Sequence, residues 1–254
     1  MSALELTVSG GVATLRINRP EKRNAMTSEM WRQVPSLIAS VAADDAVRVL
    51  VLTGEPHFSA GADIGEFGRV RSDPARGRAY DAVVEEAEQA LTRLGKPTIA
   101  AVRGYCIGGG CELALACDLR VAAAGARFAI TPAKVGLVYS LTGVQRLVDT
   151  VGPAWAKQLL FTAEQISAST AERIGLVNEV VPDDRLADRV SALAASIRHG
   201  ARTSVTGAKF LVERLARSAV PDAATAALYD QAYSGADYAE GVAAFLEKRP
   251  PSFD

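Results

Sequence analysis

The pattern of apolar and polar residues changes from alternation to helical spacing within the first fifty residues. Residues 6–8 and 12–17 alternate around Gly10 and Gly11, which predicts two strands joined by a two-residue turn. The continuous apolar run 47–52 predicts a strand buried on both faces of a parallel sheet. Between them, apolar residues recur at three- and four-residue steps, which predicts a helix: Met30, Trp31, Val34, Leu37, Ile38 and Val41.

The middle of the chain alternates between strand and helix patterns. Residues 69–78 are polar, which predicts a mobile segment ahead of a helix over 79–94. An apolar strand over 97–102 then leads through a glycine-rich turn into a short helix, and 119–124 reads as the next strand. This alternation predicts a layered α/β core with parallel strand pairs.

Helical patterns dominate beyond residue 147. Segments 153–161 and 169–174 precede one strand-like run over 176–181. Further helices are predicted after Pro182 and over 204–218 and 222–233, and the tail 238–250 closes the chain. A helical end after an α/β body predicts a role in packing or assembly.

The composition excludes several classes of function. The 254 residues are 49% hydrophobic and carry a formal charge of -1 without a Lys/Arg run, which argues against nucleic acid or an anionic membrane as partner. The chain shows no secretory signal and no apolar run of roughly 18–20 residues, so we expect a soluble cytoplasmic protein. Three cysteines and two histidines lack metal-ligand spacing, which predicts buried reduced thiols and no metal site.

Three consecutive glycines at 108–110 stand where a strand enters a helix, with Glu112 in the first helical turn. Glycines allow close backbone approach, and a helix N-terminus supplies unpaired N–H donors with a partial positive charge. This arrangement suits an oxygen that gains negative charge, with Glu112 placed to move a proton. A glycine-rich turn made for packing is the alternative.

A second stretch of small residues lies at 59–62, inside the loop 58–67. Small side chains let backbone N–H groups face a ligand, and Asp63 is placed to cap the helical turn that follows. An ordinary capped loop is the alternative here.

Four motifs follow one another along nearly the whole chain. They are Asn-Arg-Pro-Glu-Lys-Arg-Asn-Ala at 18–25, Phe-Ser-Ala-Gly-Ala-Asp at 58–63, Gly-Tyr-Cys-Ile-Gly-Gly-Gly-Cys-Glu-Leu-Ala at 104–114, and Phe-Leu-Glu-Lys-Arg at 245–249. Together they resemble the enoyl-CoA hydratase/isomerase (crotonase) superfamily. The resemblance implies an α/β fold with a crotonase-like spiral of repeated ββα units over 1–195, and a C-terminal helical trimerisation region over 196–254.

The resemblance also implies partners and residue roles. The substrate would be an acyl-CoA thioester, without a separate cofactor because coenzyme A is part of the substrate, and the chain would form a homotrimer or a dimer of trimers. Backbone N–H groups of Ala60 and Gly109 would hold the thioester oxygen, and Glu112 matches the first of two glutamates that activate water in hydratases. The other matched positions would contact the CoA ester: Arg23, Ala25, Gly61, Ala62, Asp63, Ile64, Phe245 and Lys248. For the last two, ordinary helix packing is the alternative.

One position departs from the hydratase pattern. Pro132, in the substrate-lining segment, stands where the second glutamate belongs, and proline cannot transfer a proton. The run 131–139 instead resembles methylmalonyl-CoA decarboxylases of the same superfamily, with Tyr139 at a catalytic position, although Ala62 stands where those enzymes have a histidine. Three hypotheses follow. The first is a 2-enoyl-CoA hydratase, the second is a malonyl-type decarboxylase or an enoyl-CoA isomerase, and the third is a catalytically idle acyl-CoA-binding subunit. For Tyr139, a place in the core as an ordinary aromatic residue is the alternative to a catalytic role.

Overall fold

The N-terminal hairpin forms one edge of a six-stranded sheet. The computed structural model describes residues 2–215 and 222–253. The first two strands pair antiparallel, and every other neighbouring pair in this sheet is parallel. The order is β1 (Leu4–Ser9), β2 (Val12–Ile17), β3 (Val49–Gly54), β4 (Thr98–Val102), β6 (Leu119–Ala123) and β9 (Glu179–Val181). The predicted hairpin and parallel core are confirmed.

A second sheet takes the strand that follows β4 and the strand that follows β6. It consists of β5 (Tyr105–Ile107), β7 (Arg127–Ala129) and β8 (Ile166–Ser167). After β5, α4 (Gly109–Leu115) returns the chain to the first sheet at β6. One strand in each sheet followed by a helix is a ββα unit, so the predicted α/β class and its repeated winding are confirmed.

Helices cover both faces of the six-stranded sheet. On one face, α1 (Ser28–Ala43) and α3 (Pro74–Arg93) share a buried cluster with Leu50 and Leu52. On the other face, α8 (Leu186–His199) packs with Val49 and Val51. Successive side chains of β3 therefore enter opposite clusters, as predicted for an apolar strand buried on both faces.

The C-terminal part of the chain is helical, as predicted. α10 (Ala223–Ser234) contacts both α9 (Arg202–Leu215) and α11 (Ala236–Glu247). The end of the predicted helix 204–218, residues 216–218, lies outside the described residues. Within the described ranges, no helix has the length and apolar character needed to cross a membrane. The remaining helices are α2 (Phe67–Val70), α5 (Pro132–Val135), α6 (Leu141–Thr162) and α7 (Ala168–Arg173).

Residues 69–78 differ from the predicted mobile segment. The helix α2 extends to Val70, and α3 begins at Pro74 rather than at residue 79. The Asp73 carboxylate accepts a hydrogen bond from the Arg76 N–H at 2.9 Å and so caps α3. Proline fits the first helical turn because its missing N–H has no partner there. The helix therefore starts five residues earlier than predicted.

The strand predicted over 176–181 is shorter than expected. The N–H of Leu176 donates to the carbonyl of Ala171 at 2.8 Å, which folds this part of the run into a turn after α7. Only Glu179–Val181 joins the sheet, beside β6. An apolar turn and an apolar strand have the same sequence pattern, so this boundary could not be predicted.

Candidate active site

The loop after β3 lies alongside β5. Ser59 pairs in parallel with Cys106, through a hydrogen bond from Ser59 N–H to the Tyr105 carbonyl (2.9 Å) and one from Ile107 N–H to the Ser59 carbonyl (2.9 Å). Three residues beyond the paired positions, the loop reaches Ala62 and the other strand reaches Gly109. Equal steps along two parallel segments therefore bring these two residues side by side.

The amides of Ala62 and Gly109 lie close together at the wall of one cavity. A Cβ atom added to Gly109 would lie 3.6 Å from Ala62 N, and one added to Gly61 would lie 3.0 Å from Gly109 N. Neither N–H has a hydrogen-bond acceptor in residues 2–215 and 222–253. Both residues line the same cavity. Two fixed N–H donors of this kind suit an oxygen that gains negative charge during a reaction.

Ala60 does not supply one of these donors, which corrects the assignment made from the sequence. Its N–H donates to the Arg23 carbonyl at 2.9 Å and so ties the loop to residues 18–25. The neighbouring Ser59 hydroxyl supports the same junction by donating to the Asn24 carbonyl at 2.8 Å. An N–H engaged in this way has no free proton for a ligand. Ala60 still lines the cavity, but the donor beside Gly109 is Ala62.

Gly61 and Gly108 are required at the turns that present the two amides. Their φ angles are 89° and 56°, in the left-handed region that favours glycine. A Cβ atom on Gly61 would also lie 2.6 Å from the Ile107 carbonyl oxygen, closer than van der Waals contact permits. The glycines predicted to allow close backbone approach therefore do so at these two positions.

Glu112 lies in the first turn of α4 and lines the same cavity. The residue is only 9% exposed, and its carboxyl group has no hydrogen-bond partner among the residues that the structure describes. Burial raises the pKa of Glu112 well above its usual range, and the negative charge of Glu88 raises it further. The carboxyl group is thus a weaker acid than that of an exposed glutamate, and its carboxylate form is a correspondingly stronger base.

Glu88 and Arg146 form a buried ion pair next to this carboxyl group. Glu88 belongs to the buried face of α3, is 1% exposed, and pairs with Arg146 of α6. Burial raises the pKa of Glu88, while Arg146 opposes that rise and also opposes the rise at Glu112. Sequence reasoning missed this pair. The available signal was a glutamate on the same helix face as Ala87 and Leu91.

Residues 131–139, the segment that departs from the hydratase pattern, line another side of the cavity. Pro132 is buried, begins α5 and lines the cavity. A Cβ atom on Gly108 would lie 3.4 Å from the Tyr139 hydroxyl oxygen and 3.1 Å from Thr131 Oγ1. Burial and the nearby charge of Glu112 raise the pKa of Tyr139, so its hydroxyl stays protonated. Tyr139 therefore presents a hydroxyl close to the Gly108 turn.

The structure brings most of the other predicted residues to the same region. Asp63 caps the next helical turn, as predicted, by accepting from Gly65 N–H at 3.0 Å. It also pairs with Arg19 at 2.6 Å, and this hydrogen bond lowers the pKa of the Asp63 carboxyl. Arg19 in turn donates to the carbonyl of Ala25 at 3.1 Å, and Ile64 is exposed at the edge of the cavity.

Phe245 and Lys248 lie apart from this cavity within the described chain. Phe245 is exposed on α11 and lines a different pocket, between α9, α10 and α11. Lys248 has a left-handed backbone and ends α11. Their predicted contact with coenzyme A stays a prediction.

The cysteines predicted to be buried thiols lie in β5, in α4 and just after α4. Cys106, Cys111 and Cys117 are all buried and unpaired, which confirms that expectation. Burial raises the pKa of Cys106 well above its usual range, so this thiol stays protonated.

Two neighbouring amide donors without acceptors, in the same cavity as a buried carboxyl group, define a site that can stabilise an oxyanion and move a proton. The model of the enoyl-CoA hydratase/isomerase family matches residues 7–254. This chain therefore belongs to the enoyl-CoA hydratase/isomerase family, whose members act on acyl-CoA thioesters, and the resemblance found in the sequence is confirmed.

Known relatives match over nearly their full length. A crotonyl-CoA hydratase of Syntrophomonas wolfei is 36% identical over 246 residues, covering 95% of this chain and 94% of the relative. A short-chain-enoyl-CoA hydratase of Clostridium acetobutylicum is 36% identical over 248 residues, covering 96% and 94%. The solved structure of an enoyl-CoA hydratase/carnithine racemase from Magnetospirillum magneticum has a TM-score of 0.96 at 34% identity, covering 100% of this chain and 96% of that one.

Proposed function

We propose that this protein is an enoyl-CoA hydratase, which adds water across the 2,3 double bond of a 2-enoyl-CoA thioester. One observation carries the proposal: the unpartnered N–H groups of Ala62 and Gly109 line the same cavity as the buried carboxyl group of Glu112. The two hydratases that are 36% identical to this chain support it.

The amide pair stabilises the enolate that forms during hydration. The thioester oxygen accepts hydrogen bonds from Ala62 and Gly109, and both bonds strengthen as attack at C3 moves negative charge onto that oxygen. In a protease, removal of one such donor costs about 2.7–4 kcal/mol of transition-state stabilisation. Because both donors are backbone groups at fixed turns, they need little reorganisation as the charge develops.

Glu112 carries the proton in both directions. Its carboxylate takes a proton from water as the water oxygen bonds to C3, and the resulting carboxylic acid returns a proton to C2 of the enolate. Pro132 lines the same cavity without a group that can titrate, so one residue performs both transfers. Burial raises the pKa of Glu112 from its usual value toward the working pH. Proton transfer in both directions is most efficient when the pKa of the catalytic group lies near that pH. We propose that the reaction needs no cofactor, because coenzyme A is part of the substrate.

The direct test is to mix the purified protein with crotonyl-CoA and follow the ultraviolet absorbance of the conjugated thioester. We expect the absorbance to fall, with 3-hydroxybutyryl-CoA as the product. In a separate assay with a 3-enoyl-CoA as substrate, conversion into a 2-enoyl-CoA without hydration would instead indicate an isomerase. Binding of CoA esters without any turnover would indicate an idle acyl-CoA-binding subunit.

A decarboxylase of a malonyl-type CoA is the second candidate, and Pro132 and Tyr139 favour it. Loss of CO2 from such a thioester gives the same enolate and needs no base to remove a proton. The protonated Tyr139 hydroxyl near Gly108 is a suitable donor to the departing carboxylate. Formation of propionyl-CoA from methylmalonyl-CoA, without hydration of crotonyl-CoA, would replace the first proposal with this one.

Glu88→Gln should shift the pH dependence of hydration. The negative charge of Glu88 raises the pKa of Glu112, and Arg146 lowers it. Removing that charge leaves Arg146 unopposed, so the pKa of Glu112 falls and the acidic limb of the kcat/KM profile moves to lower pH. Glu86→Gln removes the same charge from an exposed position of α3 and should leave the limb in place. A shift to higher pH in Glu88→Gln would contradict the electrostatic account.

We also propose that the protein is cytoplasmic and assembles as a trimer or a dimer of trimers through its C-terminal helices. Large apolar side chains of α10 and α11 are exposed in the single chain, among them Tyr233, Tyr238, Phe245 and Leu246. Sedimentation analysis should give a mass of three or six chains, and a monomer would rule out the assembly.

A further inference from the structure

Three buried hydrogen-bond donors line the active-site cavity without an acceptor. Trp31 Nε1, Tyr80 Oη and Arg71 Nε have no hydrogen-bond partner in residues 2–215 and 222–253. Trp31 is fully buried and Tyr80 is 5% exposed, and all three residues line the cavity that contains Glu112. Buried polar groups in native proteins are nearly always paired, so three unpaired ones around one cavity point to a ligand.

Of the three residues, Trp31 lies next to the amide pair of Ala62 and Gly109. A Cβ atom on Gly109 would lie 3.2 Å from Trp31 Cζ2, a ring carbon on the same edge of the indole as Nε1. The indole N–H is therefore on the side of the ring that borders the reacting centre. The amides and the three donors line one cavity of about 80 Å³, which has room for a short acyl chain.

Arg71 and Tyr80 are held in place by contacts that leave their polar atoms unpaired. The Arg71 guanidinium group lies over the rings of Tyr80 and Phe67, 4.7 Å and 5.0 Å from their centroids, and pairs with Asp81 at 2.6 Å. None of these contacts uses Arg71 Nε. The side chain is thus oriented by its ring partners and by Asp81, with one N–H left over.

The Tyr80 hydroxyl is a donor at working pH. Burial raises the pKa of Tyr80 to about 12. The Trp31 indole faces this hydroxyl closely enough to oppose part of that rise, yet neither atom completes a hydrogen bond with normal geometry. Trp31 and Arg71 have only donors to offer at these atoms, so a ligand that pairs with the cluster must bring acceptors.

We propose that the acyl group of the substrate ends in an oxygen acceptor, a carboxylate or a carbonyl, a few carbons beyond the double bond, and that Trp31, Tyr80 and Arg71 bind it. The inference rests on the proposed function and narrows it. The preferred substrate is a short 2-enoyl-CoA with a polar end, and crotonyl-CoA, which ends in a methyl group, is a poorer one.

The test compares 2-enoyl-CoA esters of five to seven acyl carbons that end in a methyl group, a carboxylate or the methyl ester of that carboxylate. We expect kcat/KM to be at least tenfold higher for an oxygen-bearing end at the best chain length. If kcat/KM rises only for the carboxylate end, the charge of Arg71 explains the recognition. If kcat/KM rises for both the carboxylate and the methyl ester, hydrogen bonding explains it. Equal values for all three ends would overturn the inference while leaving hydration intact.

Tyr80→Phe tests the contact itself. We expect the ratio of kcat/KM between oxygen-ended and methyl-ended substrates to fall about tenfold, and the melting temperature not to fall, because the variant removes an unpaired buried hydroxyl. Tyr229→Phe removes a hydroxyl from an exposed position of α10 and should keep the ratio. An unchanged ratio in Tyr80→Phe would overturn the assignment.

A binding measurement separates this inference from the proposed function. Calorimetry with adipyl-CoA and hexanoyl-CoA, which have the same chain length and no double bond, reports the contact with the acyl end without turnover. Tighter binding of adipyl-CoA that is lost in Tyr80→Phe supports the inference even if no probe is hydrated. Failure to hydrate any probe counts against the hydratase alone.

Discussion

Replacing Glu112 with Gln is expected to lower kcat for hydration of crotonyl-CoA by roughly 10³- to 10⁴-fold. General acid–base catalysis contributes about 10²- to 10⁴-fold, and in the proposed mechanism the same carboxyl group serves both proton transfers. Glutamine keeps the shape of the side chain but neither takes nor gives the proton. Steady-state kinetics measures the loss, with the exposed Glu86→Gln as the matched control. Wild-type activity in Glu112→Gln would remove Glu112 from the mechanism.

The same substitution should stabilise the fold at neutral and higher pH. Burial raises the pKa of Glu112 above the value of about 4.3 that it has in the unfolded chain. The stability that this group contributes is therefore fully present below the unfolded pKa and is lost as pH rises through the folded pKa. A glutamine side chain does not titrate, so the variant should melt at a higher temperature than the wild type at pH 8 and at a similar temperature at pH 4. A lower melting temperature at pH 8 would indicate that Glu112 has a structural role.

Gly109→Pro should lower kcat by a further 10²- to 10³-fold relative to Gly109→Ala, in line with about 2.7–4 kcal/mol for one oxyanion donor. The Gly109 N–H has no acceptor in the described chain, so proline removes the proposed oxyanion donor without breaking a structural hydrogen bond. Gly109 is the first residue of α4, where a helix tolerates proline.

Gly109→Ala controls for the added volume. Its Cβ atom would lie 3.2 Å from Trp31 Cζ2, a contact that proline also makes, but the N–H is kept. The difference between the two variants therefore reports the donor. Equal losses of activity in both would mean that crowding, rather than a missing hydrogen bond, explains the effect. Thermal unfolding of both variants verifies that α4 has formed.

The local elements of the fold were predictable because they depend on spacing within short stretches. The alternation around Gly10 and the three- and four-residue repeat of α1 both appear in the structure. The start of α3 was missed because residues 69–78 are polar, and the capping bond from Arg76 to Asp73 fixes the boundary instead. Hydrophobic periodicity locates the buried face of a helix but not its first turn.

The site was predictable only in part. Motif resemblance located the two glycine-containing turns and Glu112. It selected Ala60 rather than Ala62 because it carries no information on which N–H groups are already engaged. That choice depends on the pairing of Ser59 with Cys106 and on the hydrogen bond from Ala60 to Arg23. Both connect residues that lie far apart in the sequence.

The sequence by itself determined the α/β class, the family and the position of the carboxyl group that we propose as the proton carrier, because each depends on local pattern or on motifs read along the chain. The tertiary structure alone decided which amide N–H groups of the cavity have no acceptor, how Glu88 and Arg146 tune the pKa of Glu112, and that Trp31, Arg71 and Tyr80 meet around one cavity. The physical reason is that hydrogen-bond availability and electrostatic coupling depend on distance in space. Those distances are fixed only when α1, α3, α4 and α6 pack together.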